Sequence, residues 1–169
     1  MSHVVFALGT NIGDRIGHLS YAIERISNHD EIAVSAVSKI YETSPVGGPE
    51  QENYLNAVIS AESSLPAHDL LEFCHEIENA RQRTREVRWG PRTLDVDLLI
   101  VGDEVSHDPK LLIPHPRAHE RAFVLTPWET IDPLCVIPGY GTVKDCSQAI
   151  GSDGVWLSVF QIDGENSES

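Results

Sequence analysis

Two aspartates one residue apart, Asp95 and Asp97, stand in the apolar run Leu94–Ile100, within the stretch RWGPRTLDVDLLI. Leu94, Val96, Leu98 and Ile100 alternate as a strand requires, which sends both carboxylates to the other face. Two carboxylates about 6 Å apart repel by roughly 3 kcal/mol at an effective dielectric near 20. A divalent cation removes that cost. Mg²⁺ prefers oxygen ligands and is commonly held by one or two carboxylates together with substrate phosphates. Two such ions can grip the attacking and leaving oxygens of a displacement together. The pair therefore points to metal-assisted phosphoryl chemistry.

A phosphorylated ligand must also be held. The chain has no GxxxxGK[ST] loop, and Gly9 to Gly13 matches neither that pattern nor GxGxxG, so this segment reads as a turn closing the first strand. Side chains must then neutralise the phosphates, and arginine suits the task because its planar fork grips phosphate oxygens in pairs. Arg83, Arg85, Arg88 and Arg92 supply one side; His115 and Arg121 supply the other. His115 and His119 lack an HExxH pattern and a third ligand, which argues against zinc there. Arg117 reads as helix-surface charge.

Composition bounds the rest. The 169 residues suit one domain, with 41% hydrophobic and 22% charged content. A net charge of −14 speaks against a nucleic-acid partner. Yet five of the twelve Lys and Arg are Arg81, Arg83, Arg85, Arg88 and Arg92, a local basic cluster fit for a small anion brought in with metal. No run of about 18 apolar residues exists, so no membrane span is expected. No signal peptide is read at the start, and a cytoplasmic protein is expected. Cys74, Cys135 and Cys146, odd in number and without a CxxC pair, fit reduced thiols better than a disulfide framework or a zinc site.

Periodicity predicts a strand over His3–Leu8, a helix over about Arg15–Ser27, a long strand over Ile32–Tyr41, a loop over Ser44–Asn53 and a strand over Tyr54–Glu62. On the last, Leu55, Ala57, Ile59 and Ala61 face one way, Tyr54, Asn56 and Val58 the other. Pro66 opens a second helix with Leu70, Leu71, Cys74 and Ile77 on its stripe, running into the arginine-rich loop. The aspartate strand follows, then a turn at Gly102-Asp103 and a short helix around His119–Leu125 stopped near Pro127. A helix over Thr142–Ile150 and a strand over Val155–Phe160 close the chain, and 164–169 is expected to be a disordered tail. This order predicts an α+β, ferredoxin-like (split βαβ) fold: a mainly antiparallel sheet, both main helices on one face, and a C-terminal extension. The opposite face is expected to be open, with Asp95, Asp97, Tyr54 and Asn56 converging on it.

These residues carry a resemblance to a known family. RWGPRTLDVDLLI, with ALGTNIGD at Ala7–Asp14, SPVGGPEQENYLNAV at Ser44–Val58 and PHPRAHERAFVL at Pro114–Leu125, resembles the 6-hydroxymethyl-7,8-dihydropterin pyrophosphokinase (2-amino-4-hydroxy-6-hydroxymethyldihydropteridine diphosphokinase) family of folate biosynthesis. The resemblance covers the chain to about Pro138 and implies transfer of the pyrophosphoryl group of ATP to the pterin hydroxymethyl oxygen, releasing AMP. It implies that Asp95 and Asp97 ligate two Mg²⁺ ions, and that Arg83, Arg92, His115 and Arg121 contact ATP phosphates. Arg85, Arg88 and Trp89 are implied near the nucleotide and Glu78 near the nucleoside. Asp95, Asp97, Arg83 and Arg92 would carry the catalysis. For the pterin, the resemblance implies stacking by Tyr54 and Phe123, hydrogen bonding by Asn56, and main-chain contacts at Thr43 and Val46. The loops Ser44–Asn53 and Arg81–Pro91 become candidate lids. Proline at position 116, where some relatives carry tyrosine, is a departure. A single pyrophosphokinase domain over 1–163, monomeric and without a nucleic-acid partner or membrane association, is the expectation. A two-metal phosphohydrolase and a non-catalytic metabolite-binding module are the alternatives.

Overall fold

The structure, a computed structural model, describes residues 1–44, 52–81 and 93–162. Val46, Arg83, Arg85, Arg88, Trp89, Arg92, most of both candidate lids and the 164–169 tail lie outside the described residues. Strand β1 (Ser2–Thr10) leads to helix α1 (Arg15–Ser27), then to β2 (Ile32–Val37), β3 (Tyr41–Thr43) and β4 (Tyr54–Ser63). Helix α2 (Ala67–Arg81) precedes β5 (Asp95–Val101), a hairpin of β6 (Ser106–Asp108) and β7 (Leu111–Ile113), and a 3₁₀ turn at Ala118–Glu120. Helix α3 (Ala122–Ile131), β8 (Val136–Ile137), β9 (Gly141–Thr142), α4 (Val143–Ile150) and β10 (Val155–Leu157) complete the chain. The described strands of the main sheet pair antiparallel in the order β10–β3–β4–β1–β5, with β2 also on β4. The fold is α+β.

β1 shows why the sheet is central. Val4, Phe6 and Leu8 face α1 and α2, packing with Leu19, Ile26, Leu70 and Ile77; Val5 and Ala7 face the other way, toward α3 and α4. Each large side chain so buried contributes about 1.5–3 kcal/mol. β4 follows the expected alternation, with Leu55, Ile59 and Ala61 in the first layer and Val58 in the second. The second face is therefore not open along its length. Val124, Leu125 and Trp128 of α3, with Val143 of α4, cover it at one end, because an apolar helical stripe C-terminal to the arginines also needs burial.

Four further expectations are corrected. The long strand Ile32–Tyr41 divides over Ser38–Ile40, where Val58 N–H bonds the Ser38 hydroxyl instead of the backbone; the register shift against β4 between Val34 and Ala36 lies within β2. Pro127 does not stop α3; it lies inside the helix, where burial of Leu125 and the fully buried Trp128 offsets the lost backbone bond. The turn after β1 begins later than Gly9, since β1 runs through the buried Thr10. In α2, Phe73 is buried while Leu71 is only partly so.

The pairing of β5 with β1 contains a bulge. Val5 opposes Ile100 and Phe6 opposes Leu98, leaving Leu99 as the extra residue. Leu99 and Ile100 both pack in the α3 layer, whereas Val96 and Leu98 pack with α1 and α2. The alternation read from Leu94 to Ile100 thus breaks at its last member.

Caps fix the helix ends. Asp14 Oδ1 accepts the Gly17 N–H at 3.0 Å, and a Cβ at position 17 would meet the Asp14 carboxylate at 2.2 Å. Thr142 Oγ1 accepts the Asp145 N–H at 3.1 Å and caps α4. Thr142→Ala is expected to cost about 1 kcal/mol, read as a fall of roughly 2–4 °C in Tm by calorimetry. Among the described residues no helix is long and apolar enough to cross a membrane.

Candidate active site

Antiparallel pairing brings the end of β1 and the starts of β4 and β5 to one edge of the sheet. Gly9 opposes Asn56 on one side and Asp95 on the other, while Ala7 opposes Val58 and Asp97. The row Asn56–Gly9–Asp95 crosses three strands on the face shared with α3, its outer members about 10 Å apart by strand spacing. Above this row lies a cleft of about 540 Å³. Asp95, Asp97, Asn56 and Tyr54 form its floor, Thr43 and Ser44 one wall, and Arg117, Glu120, Arg121 and Phe123, around the N-terminus of α3, the other.

Seven of the residues singled out from sequence meet here: Asp95, Asp97, Thr43, Tyr54, Asn56, Arg121 and Phe123. Asn56 is 5% exposed, and its Nδ2 donates to Thr43 Oγ1 at 3.2 Å, which fixes the orientation of the carboxamide. Gly9 makes room for it, since a Cβ there would stand 3.3 Å from Asn56 Oδ1. Gly9→Ala is expected to displace this amide and raise KM for the ligand it reads about fivefold, the equivalent of ~1 kcal/mol, with kcat little changed; steady-state kinetics checks it. The Arg121 guanidinium lies 5.6 Å from the centre of the Phe123 ring, within cation–π range.

His115 sits behind Asp97 rather than in the cleft lining. Its backbone N–H donates at 2.8 Å to the carbonyl of Leu99, the bulge residue, and so ties the imidazole to the bulge. Its Nδ1 accepts the Arg117 N–H at 3.2 Å, so the neutral ring carries its proton on Nε2, 3.9 Å from Asp97 Oδ2. Burial, then the Arg121 and Arg117 guanidinium groups, lower its pKa to about 4. The ring is therefore a neutral donor at physiological pH, not the ionic partner of Asp97.

Glu78 is not brought into the cleft lining. Its Oε2 accepts the Val96 N–H at 2.8 Å, bracing β5 from α2. Conversely, Arg117, a surface charge by its sequence context, lines the cleft while its Nε donates to Glu120 at 2.8 Å. Asn11 and Arg15 carry no motif that marks them, yet Asn11 Nδ2 donates to Glu52 O at 3.1 Å, and Arg15 Nη1 to Asn53 O at 3.0 Å. They anchor the chain where it enters β4. The G-T-N-I-G-D composition reads as turn chemistry, which hides that role.

The donor set suits a hard cation. Two carboxylates share one strand face, the Asp97 side chain is 38% exposed, and both line the cleft; oxygen donors reachable from solvent are what Mg²⁺ takes. Comparison with known proteins agrees with this geometry. Residues 5–133 match the family model described as 7,8-dihydro-6-hydroxymethylpterin-pyrophosphokinase (HPPK).

The chain belongs to the 7,8-dihydro-6-hydroxymethylpterin-pyrophosphokinase family.

It is 46% identical over 128 residues to the 2-amino-4-hydroxy-6-hydroxymethyldihydropteridine pyrophosphokinase of Bacillus subtilis, covering 75% of this chain and 77% of that one. It is 39% identical over 155 residues to the protein of the same name from Methylorubrum extorquens, covering 92% and 98%. Among solved structures, an HPPK-DHPS in complex with substrates aligns with a TM-score of 0.62 at 11% identity. Plasmodium falciparum HPPK-DHPS aligns with a TM-score of 0.63 at 13% identity. These alignments cover 88% of this chain but only 43% and 44% of those chains, so this chain spans under half their length. They speak to the fold.

Proposed function

We propose that the chain performs the family's reaction. It transfers the pyrophosphoryl group of ATP to the hydroxymethyl oxygen of 6-hydroxymethyl-7,8-dihydropterin, giving the pterin diphosphate and AMP in folate biosynthesis. The observation that carries the reading is the convergence of a carboxylate pair, a buried amide and an aromatic ring on one cleft.

Each side chain has a part. Tyr54 and Phe123 stack on the pterin ring, and Asn56, oriented by Thr43, reads its polar edge with main-chain help at Thr43 and Val46. Asp95 and Asp97 hold Mg²⁺, two ions in this reading. When bound, Mg²⁺ neutralises phosphate charge and lowers the pKa of the attacking hydroxyl. Arg121 and His115 Nε2–H contact phosphate oxygens on one side; Arg83 and Arg92 do so on the other, with Arg85, Arg88 and Trp89 by the nucleotide. Glu78 lies near the nucleoside in this reading and also braces β5. The pterin oxygen attacks the β-phosphorus and AMP leaves in line, so the protein's task is positioning and charge neutralisation.

The order β5–β1–β4–β2, with α1 and α2 on one face, supports a ferredoxin-like core within one domain spanning 1–163. A monomeric enzyme completes the reading, and the free cysteines Cys74, Cys135 and Cys146 support a cytoplasmic one. The test is incubation with ATP and Mg²⁺, with and without the pterin. AMP and pterin diphosphate formed only when both substrates are present supports transfer; pterin-independent cleavage of ATP would favour a phosphohydrolase.

A further inference from the structure

Six residues from Gly9 along β1, about 20 Å away, three side chains of different chemistry meet. His3 projects on the α3 side of the sheet. Asp132 follows the last turn of α3, and Cys135 lies three residues beyond it. A ring nitrogen of His3, a carboxylate oxygen of Asp132 and Sγ of Cys135 all lie within 4.8 Å of one another, each residue half-buried. His3 Nε2 is 2.7 Å from Asp132 Oδ2, and Nδ1 is 3.1 Å from Glu62 Oε2 on the neighbouring strand. A neutral imidazole has one N–H and cannot donate to both carboxylates. Either the ring is protonated or a cation stands beside one nitrogen.

We propose that His3, Asp132 and Cys135 form a binding site for a divalent transition metal of the zinc type, separate from the magnesium chemistry of the cleft. Imidazole, carboxylate and thiolate together are the donor set of a borderline-soft ion, not of Mg²⁺. Glu62 on the far nitrogen of His3 repeats the carboxylate–histidine–metal arrangement that orients a ligating imidazole. A tetrahedral ion needs donors roughly 3.5 Å apart, so side-chain movement of about 1 Å closes the site and leaves the fourth position to water. Binding releases the Cys135 thiol proton, and any proton on His3 Nε2, to solvent. The family match spans 5–133, so His3 and Cys135 fall outside it, and the site does not depend on the reaction proposed above. Its effect is structural: it ties the start of the central strand to the end of α3, the helix whose other end carries Phe123.

The experiment is titration of the full chain with Co²⁺ in excess Mg²⁺. The expected result is a near-ultraviolet sulfur-to-cobalt charge-transfer band saturating at one equivalent and bleached by Zn²⁺. Zn²⁺ at a hundredfold over its Kd should raise Tm by about 5 °C or more. Cys135→Ser and His3→Gln should abolish the band, while Cys146→Ser keeps it. Should either variant misfold, Zn²⁺ must slow thiol-reagent labelling of Cys135 in the unaltered protein at least tenfold. No band at one equivalent, a band that survives loss of Cys135, or labelling indifferent to Zn²⁺ overturns the proposal.

Discussion

Asp97→Ala is expected to lower kcat by more than ~10³-fold, beyond the ~10²–10³ usual for loss of one transition-state donor, while the unfolding transition holds its midpoint. Asp97 opposes Ala7 and Asp95 opposes Gly9, so the neighbouring strand offers no replacement oxygen. Nothing packed is lost, because the side chain is part-exposed at the cleft floor, and removing one of two like charges relieves repulsion. Asp95→Ala should behave alike. Asp97→Asn, which keeps the shape and removes the charge, separates electrostatics from packing and should be nearly as slow. Single-turnover measurement of AMP release with saturating ATP, Mg²⁺ and pterin checks all three. Turnover within tenfold of the parent in either alanine variant would refute the metal assignment.

For Asn56→Ala, a loss of about 10² in pterin affinity is expected, with ATP affinity unchanged within twofold. The amide is buried and bonded to Thr43 Oγ1, so truncation removes two ligand hydrogen bonds, each ~1–1.5 kcal/mol, and leaves the hydroxyl to find a new partner. Asn56→Asp, nearly isosteric, presents acceptors where the pterin needs a donor and should bind no better. Calorimetric titration with each substrate separately discriminates the outcomes. A parallel fall in both affinities would mean that the strand had moved, and an unchanged pterin affinity would place the ring elsewhere.

Much of this was legible along the chain, for physical reasons. The helical spacing of Leu19, Ile23 and Ile26 in α1 and the alternation of β4 are strong periodic signals, and both elements formed, with Leu19 and Ile26 in the core. The Asp95–Asp97 strand was legible because carboxylates in an apolar run demand an explanation. What stayed hidden depends on distant partners. Pro127 reads locally as a stop, yet the sheet face beneath α3 keeps the helix going. Short segments such as the β6–β7 hairpin carry too few residues for a period. Arg117 reads as solvated charge until the cleft wall is assembled around it, and Glu78 was named through resemblance while its carboxylate went to a backbone amide. His3 and Cys135 stand far apart in the chain, where no spacing rule could join them.

Leu99 has a larger effect than its ordinary side chain suggests. Continue the Val4–Val101 and Val5–Ile100 pairing without the extra residue and Asp97 would oppose Leu8 rather than Ala7, turning its charge into the oily layer beneath α1 and α2. That one-residue irregularity decides which side of the molecule carries the negative pair. The protein therefore has no half-way version: a chain that straightened this ladder would have to give up either its interior or its chemistry.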